Sequence, residues 1–409
     1  MTPRLPDCRA CGRDALALVL SLGRTPLANA LLTREQLNEP EPRYALDLAF
    51  CRACSLVQIT ETVPPAELFR EYSYFSSVSE TMVRHAETLV ERVIRERQLC
   101  ARSLVVELGS NDGYLLQFYR RRGIPVLGID PAENVAREAS ARGIPTIAEF
   151  FGLDLARRLN QEGKRADVIH AHNVLAHVAD LNGVVEGIAS ILAPAGTAIV
   201  EVPYLKDLLD RCEFDTIYHE HLCYFSLTAL DRLVRRHGLR VRDVERVPIH
   251  GGSLRLWLGS EGAAVEPEVS RLLAEEQASG LDQLATYASF GGRVEALKVA
   301  LGETLRQLKR GGHRLAAYGA AAKGSTLLNY VGIGKETLDY VVDRSPHKQG
   351  RFMPGVHLPI SPTERLLEDM PDDVLLLTWN FADEIFEQQK AYRARGGRFI
   401  IPVPEVKVA

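Results

Sequence analysis

Residues 215–221 read Asp-Thr-Ile-Tyr-His-Glu-His, so four ionisable side chains, Tyr218, His219, Glu220 and His221, fall at consecutive positions. Crowding of this kind costs stability and shifts pKa values when buried, which marks the run as a candidate functional site. Three kinds of chemistry fit it: a metal site, general acid–base catalysis, or a merely solvated polar strand. Paired imidazoles could ligate a metal, but no further ligand cluster lies nearby in sequence. Acid–base work is favoured, because a histidine exchanges its proton near neutral pH. In a strand, Tyr218 and Glu220 would share one face, and His219 and His221 the other.

The cysteines carry a second chemistry. Four of seven form two pairs, Cys8-Arg9-Ala10-Cys11 and Cys51-Arg52-Ala53-Cys54. Each CxxC makes a tight knuckle whose sulfurs converge, and two knuckles give a closed tetrahedral thiolate site for zinc. With all four positions filled by Cys, no coordination site is open, so the metal is expected to be structural. Neither pair follows a βαβ strand, which argues against a redox role. Cys100, Cys212 and Cys223 read as packing residues.

The third group is Glu107-Leu108-Gly109-Ser110-Asn111-Asp112-Gly113, directly after the apolar run Leu104–Leu108. Its glycines allow a sharp turn and close approach to a ligand. Asp130 ends the next apolar run, about twenty residues on, where an acid can hold both ribose hydroxyls of an adenosine ligand. NAD(P) is the obvious rival. However, the pattern is not GxGxxG, and Glu107 would face a pyrophosphate badly while suiting the cationic S-adenosylmethionine. A fourth group, Tyr318-Gly319-Ala320-Ala321-Ala322-Lys323-Gly324-Ser325, offers free backbone N–H groups at a helix start, and Lys323 adds charge for phosphate. The glycine spacing is not that of a Walker loop. Asp343-Arg344-Ser345 ends a further apolar run and adds polar groups at the same sheet edge.

The elements that would position these groups are legible. Positions Met82, Leu89, Val90 and Val93 have helical spacing. Strands at Leu104–Leu108, Val126–Ile129, Asp167–Ala171 and Thr197–Val202 alternate with helices and argue for a parallel, doubly wound sheet. A long amphipathic stretch over about 283–308 leads into a second α/β series with strands at Arg314–Tyr318, Leu338–Val342, Val374–Leu377 and Arg398–Val403. A chain of 409 residues is too long for one ordinary core. The expectation is a zinc-binding domain over 1–75, an α/β domain over 76–249 and a second α/β domain over 250–409. Net charge is -4, which leaves no basic footprint for nucleic acid. The run Leu16–Leu22 is too short for a membrane span or signal peptide and reads as a strand. The expected compartment is therefore the cytoplasm.

Taken together, the chain resembles the nucleotide-sugar C-methyltransferases of branched deoxysugar biosynthesis. The resemblance rests on motifs that follow in order along nearly the whole length. They are Cys-Arg-x-Cys-Gly at 8–12, Pro26-Leu27-Ala28-Asn29, the run 51–58, Tyr72-x-Tyr74-Phe75-Ser76-Ser77, residues 107–113, and Asp130-Pro131. His172-Asn173 with His177-Val178, the run 216–221, His250–Arg255 and residues 318–324 complete the set. The resemblance implies a central class I methyltransferase sheet between a small zinc lobe and a Rossmann-like carboxy-terminal lobe. It also implies S-adenosylmethionine and structural zinc as cofactors. The implied substrate is a dTDP-linked 4-keto-6-deoxy or 2,6-dideoxy sugar, methylated at C3 or, in some relatives, C5. His221 matches the family's base, supported by Tyr72, Tyr218, Glu220 and His177. With the readings above, the cofactor contacts are Glu107, Gly109, Asn111, Asp130 and Asn173, and the substrate contacts Tyr74, Lys323, Ser325 and Arg344. An O- or N-methyltransferase on the same scaffold and a non-catalytic nucleotide-binding scaffold with a zinc knuckle are the alternatives.

Overall fold

The computed structural model describes residues 5–69, 75–249 and 251–409. The expected roles of Tyr72 and Tyr74, and the motif residue His250, lie outside them. In the amino-terminal lobe β1 (Leu16–Thr25) pairs antiparallel with β2 (Tyr44–Cys51), which turns back into β3 (Val57–Ile59). Leu20 and Leu22 of β1, Leu46, Leu48 and Phe50 of β2, and Val57 and Ile59 of β3 are buried and give this small lobe its core, while Leu18 stays exposed.

The second sheet is built on β4 (Val105–Leu108), β5 (Val126–Ile129), β6 (Thr146–Ile147), β7 (Ala166–His172) and β8 (Leu192–Pro203), all parallel. The chain then leaves it. Strand β9 (Cys223–Tyr224) pairs with β3 of the amino-terminal lobe, and the chain returns as the hairpin β10 (Leu239–Val247) and β11 (Ser253–Ser260). The order is β10-β11-β8-β7-β4-β5-β6, with β11 inserted antiparallel between β8 and β10. This is the class I methyltransferase arrangement. Strand β4 is buried along its whole length, as a parallel strand covered on both faces must be. The sheet runs on to Ser260, so the boundary expected at 249/250 falls inside the β10–β11 hairpin.

A helix of 27 residues, Leu284–Arg310, leads into the third sheet and buries Tyr287, Phe290, Val294, Leu297, Leu301 and Leu305 at the helical repeat. That sheet is assembled from β12 (Leu315–Tyr318), β13 (Val341–Val342), β14 (Ile360–Ser361), β15 (Asp373–Leu376), β16 (Arg398–Ile401) and β17 (Lys407–Val408). Its order is β14-β13-β12-β15-β16-β17, parallel except for β17. The strand expected over Leu338–Val342 is shortened to its last two residues. The amino-terminal lobe also grips this third unit: Leu32 and Phe352 exchange backbone hydrogen bonds of 3.0 and 2.9 Å, and the Glu41 carboxylate accepts from the Gly355 N–H. Among the described residues, no helix is long and apolar enough to cross a membrane.

Candidate functional site

The sulfurs of Cys8, Cys11, Cys51 and Cys54 all lie within 4.8 Å of one another. The Cys8–Cys54 and Cys11–Cys51 separations are 3.5 and 3.6 Å. A tetrahedral zinc with Zn–S bonds of about 2.3 Å sets its sulfurs about 3.8 Å apart, so the cluster fits that ion. Backbone turns hold each knuckle. Gly12 N–H donates to the Cys8 carbonyl and Ser55 N–H to the Cys51 carbonyl, both at 2.8 Å. The four thiolates form a structural zinc site.

The glycine turn after β4 sits at the carboxyl edge of the second sheet. Gly109 has φ +63°, and a Cβ there would lie 2.8 Å from the Val174 side chain, so only glycine lets the turn close against the loop after β7. Asp130 ends β5 beside it. Its two carboxylate oxygens each accept one backbone N–H, from Asn111 and Ala132, both at 2.9 Å. Lone pairs remain on both oxygens for a vicinal diol. Burial raises the Asp130 pKa, and those two N–H groups oppose the rise. Glu107 is 1% exposed and its Oε2 has no hydrogen-bond partner. Burial, and then the charges of Asp130 and Asp112, push its pKa well above the usual carboxylate range. A buried carboxylate left unsatisfied among other acids suits a cation, and S-adenosylmethionine carries both a sulfonium and an ammonium.

Asn111, expected as a cofactor contact, also braces the turn. Its amide oxygen accepts from Ser76 N–H at 2.9 Å and Asp112 N–H at 3.0 Å, tying the segment before the helix Glu80–Arg97 to the turn. Asn173 has φ +56°, donates its N–H to the Glu201 carbonyl, and leaves its buried Oδ1 unpartnered at the same edge. Phe150 was not singled out from sequence. It follows β6, whose Ile147 accepts the Asp130 N–H, and it is 53% exposed, leaving an aromatic face at the sheet edge. An apolar residue just past a short strand was the available signal.

The run 215–221 is not a strand. Phe214–Thr216 form a short 3₁₀ turn, and residues 217–222 cross as a loop before β9. The expected pairing of faces is therefore corrected. His221 meets Tyr218, and His219 points away, 1% exposed, with Nε2 3.1 Å from the Ala45 carbonyl oxygen. His221 Nδ1 lies 3.0 Å from the Thr216 carbonyl, an acceptor only, so the neutral ring carries its proton on Nδ1. Its Nε2 then accepts from the Tyr218 hydroxyl at 3.0 Å. The His177 ring stands edge-on to His221 with centroids 4.9 Å apart. His177 Nδ1 is 2.7 Å from the Glu220 carbonyl oxygen, and burial pushes the His177 pKa down to about 4. The Glu220 carboxylate accepts from Asn29 Nδ2 at 2.8 and 3.0 Å. Burial pushes its pKa up to about 7, against the effect of Asn29.

In the third unit, Gly319 has φ +96°, and a Cβ there would lie 2.5 Å from Thr378 Oγ1. Asp343 secures this loop much as Asp130 secures the other, accepting from Ala320 N–H at 2.7 Å and Ser345 N–H at 2.8 Å. Lys323 hydrogen-bonds Asn380 and stands 4.3 Å above the centre of the Trp379 ring. Its near neighbours include Asp215 and Glu213, which favour its charge against the lowering effect of burial. Trp379 Nε1 donates to Asp215 at 2.7 Å, so the segment after β15 touches the 3₁₀ turn that precedes the His221 loop. Ser325 is buried with an unpartnered Oγ, and Arg344 is exposed, 3.3 Å from Glu384.

Comparison with known proteins bears on the whole chain. Three family models match in succession: "Putative zinc binding domain" over 8–69, "Methyltransferase domain" over 82–244 and "C-methyltransferase C-terminal domain" over 248–404. The C-methyltransferase NovU of Streptomyces niveus is 38% identical over 406 residues, covering 99% of this chain and 97% of that protein. The chain belongs to the C-methyltransferase family. A ubiquinone biosynthesis O-methyltransferase of Acinetobacter baylyi is 22% identical over 172 residues, 38% of this chain and 70% of that one. Among solved structures, the PH0226 protein of Pyrococcus horikoshii has 19% identity and a TM-score of 0.38, covering 49% of this chain and all of that one. As a family member the chain is an S-adenosylmethionine-dependent methyltransferase with a structural zinc lobe.

Proposed function

We propose that this family member methylates a carbon next to the ketone of a nucleotide-linked sugar, a dTDP-4-keto-6-deoxy or 2,6-dideoxy hexose, at C3. The observation that carries this reading is the poised His221 ring. With Nδ1–H fixed on the Thr216 carbonyl, Nε2 is left as the base. Carbon reacts with an electrophilic methyl only after losing a proton, so a C-methyltransferase needs such a base and an O- or N-methyltransferase has less use for one. The resemblance to NovU supports the C-methyl reading.

Bound S-adenosylmethionine supplies the electrophilic methyl, next to Glu107, Gly109, Asn173 and Asp130. His221 Nε2 takes the proton from the carbon beside the ketone, and the electron pair of that C–H bond moves onto the ketone oxygen as an enolate. Re-forming the carbonyl would direct the pair to the methyl that S-adenosylmethionine, held by those residues, would give up with the S–C electrons remaining on sulfur. The enolate oxygen needs donors. His177 is neutral, with its one proton on the Glu220 carbonyl, so it is not such a donor. Once His221 Nε2 has taken the proton it no longer accepts from Tyr218, whose O–H can then turn to the enolate oxygen, a task assigned to Tyr218 together with Tyr72. The loop 318–325, with Lys323, Ser325 and Arg344, is assigned to the diphosphate, whose remote binding orients the small keto-sugar. The substrate incubated in deuterium oxide with the protein and no methyl donor should exchange its hydrogen at that carbon. An acceptor that is methylated on oxygen or nitrogen, with no such exchange, would favour the heteroatom alternative.

A further inference from the structure

The Pro26-Leu27-Ala28-Asn29 motif has no part in the zinc site, yet it reaches the loop that carries the proposed base. We propose that the zinc lobe is a working part of the catalytic centre, and that Asn29 is a positioning residue acting on His221 through Glu220 and His177. This inference rests on the proposed base role of His221.

The zinc lobe holds the loop 218–224 by successive residues. His219 is anchored on the Ala45 carbonyl, Glu220 on the Asn29 amide, Leu222 on the Ile59 N–H at 3.0 Å, and Cys223–Tyr224 on β3. Between these anchors, Tyr218 and His221 are left facing each other. Gln58 of β3 accepts the N–H of Arg9, inside the first cysteine knuckle, at 2.8 Å. The anchoring strand is thereby fixed to the metal-binding turn.

Among these contacts Asn29 alone uses a side-chain amide on a buried carboxylate. Both oxygens of Glu220 take the Asn29 Nδ2, although Asn29 is itself exposed and Glu220 is only 7% exposed. The next steps are short. The Glu220 carbonyl holds His177 Nδ1, and the His177 ring packs edge-on against His221. Releasing the Glu220 side chain loosens the loop residue whose carbonyl fixes the His177 ring, and with it the wall of the base. Leaving a buried carboxyl such as that of Glu220 without its hydrogen-bond partner is worth roughly a 10–100-fold effect.

Asn29→Asp keeps the shape, removes the donor and sets in its place an acceptor that repels Glu220 in its ionised form. It should slow deuterium exchange and kcat by about 10–100-fold, with far less change in KM, in zinc content or in S-adenosylmethionine affinity. Asn29→Ala in a Glu220→Gln background should add almost nothing to the effect of Glu220→Gln alone. Parental exchange and kcat in Asn29→Asp, or fully additive effects in the double variant, would overturn the proposal. If either variant loses zinc or fails to fold, nitrogen-15 histidine spectra of a folded Asn29→Gln protein decide. Shifted His177 and His221 ring signals support the coupling, and unmoved ones overturn it. A parent protein that exchanges no keto-sugar would instead sink the proposed function, and the ring signals would still test the coupling.

Discussion

His221 owes its role to two neighbours, one per ring nitrogen. The Thr216 carbonyl fixes the tautomer, and the Tyr218 hydroxyl marks the nitrogen that stays basic. Replacing it with asparagine removes that basicity, and losing a positioned base costs about 10²–10⁴ in rate. His221→Asn should slow methyl transfer and solvent exchange by that order and leave cofactor affinity unchanged in calorimetry. Near-parental exchange would transfer the role to a tyrosine. Glu107 allows a prediction about protons. Its pKa is raised by burial and by Asp130 and Asp112, so it holds a proton to higher pH than an ordinary carboxylate. A cation bound beside it favours the ionised form, so S-adenosylmethionine should bind with proton release and more tightly as pH rises. Calorimetry in two buffers of different ionisation enthalpy measures this directly. An observed heat that is independent of the buffer would contradict it. The residue types at these positions were readable from sequence, because an acid in a glycine turn and an acid at the next strand end have few other uses. The spacing of the run did not say which histidine faces the site, and only the resemblance pointed to His221, because the 3₁₀ turn at Phe214–Thr216 sets the direction of the loop and leaves no periodic signal.

The strands were legible where runs such as Val105–Leu108 and Val126–Ile129 are buried throughout. They were less so at Val341–Val342, where only two residues pair. The loop–helix unit at 318–331 is the element whose function depends most on its surroundings. Lys323 faces Asn380, the Trp379 ring and the acids of the 3₁₀ turn, a set drawn from two other segments of the chain. Burial pushes the pKa of Asp215 up to about 6, opposed by Lys323 and Trp379, and that of Glu213 up to about 7, where Asp215 adds to the rise. Lys323→Ala should raise KM for the sugar nucleotide without changing S-adenosylmethionine affinity. A nucleoside diphosphate should compete with substrate and not with the methyl donor. If the free sugar reacts as well as the full nucleotide sugar, the element has another task.

At the scale of the whole molecule, the amino-terminal lobe reaches both other units. It contributes the partner of β9, the ladder between Leu32 and Phe352, and the contact from Glu41 to Gly355. None of this was legible, because pairs such as Asn29 and Glu220, 191 positions apart, have no local pattern to betray them. The CxxC spacing was legible because metal geometry requires it. Cys51→Ser should therefore remove zinc, lower the unfolding temperature and loosen the 218–224 loop. Full zinc content in that variant would refute the four-cysteine site. The proposed reaction is carbon methylation of a keto-sugar. Its most direct test is incubation with carbon-13 methyl-labelled S-adenosylmethionine and a panel of nucleotide keto-sugars, followed by NMR of the product. A labelled methyl is expected on the carbon adjacent to the ketone, at C3 of a dTDP-linked deoxysugar. A label on oxygen or nitrogen, or on no keto-sugar while another small molecule is methylated, would contradict it.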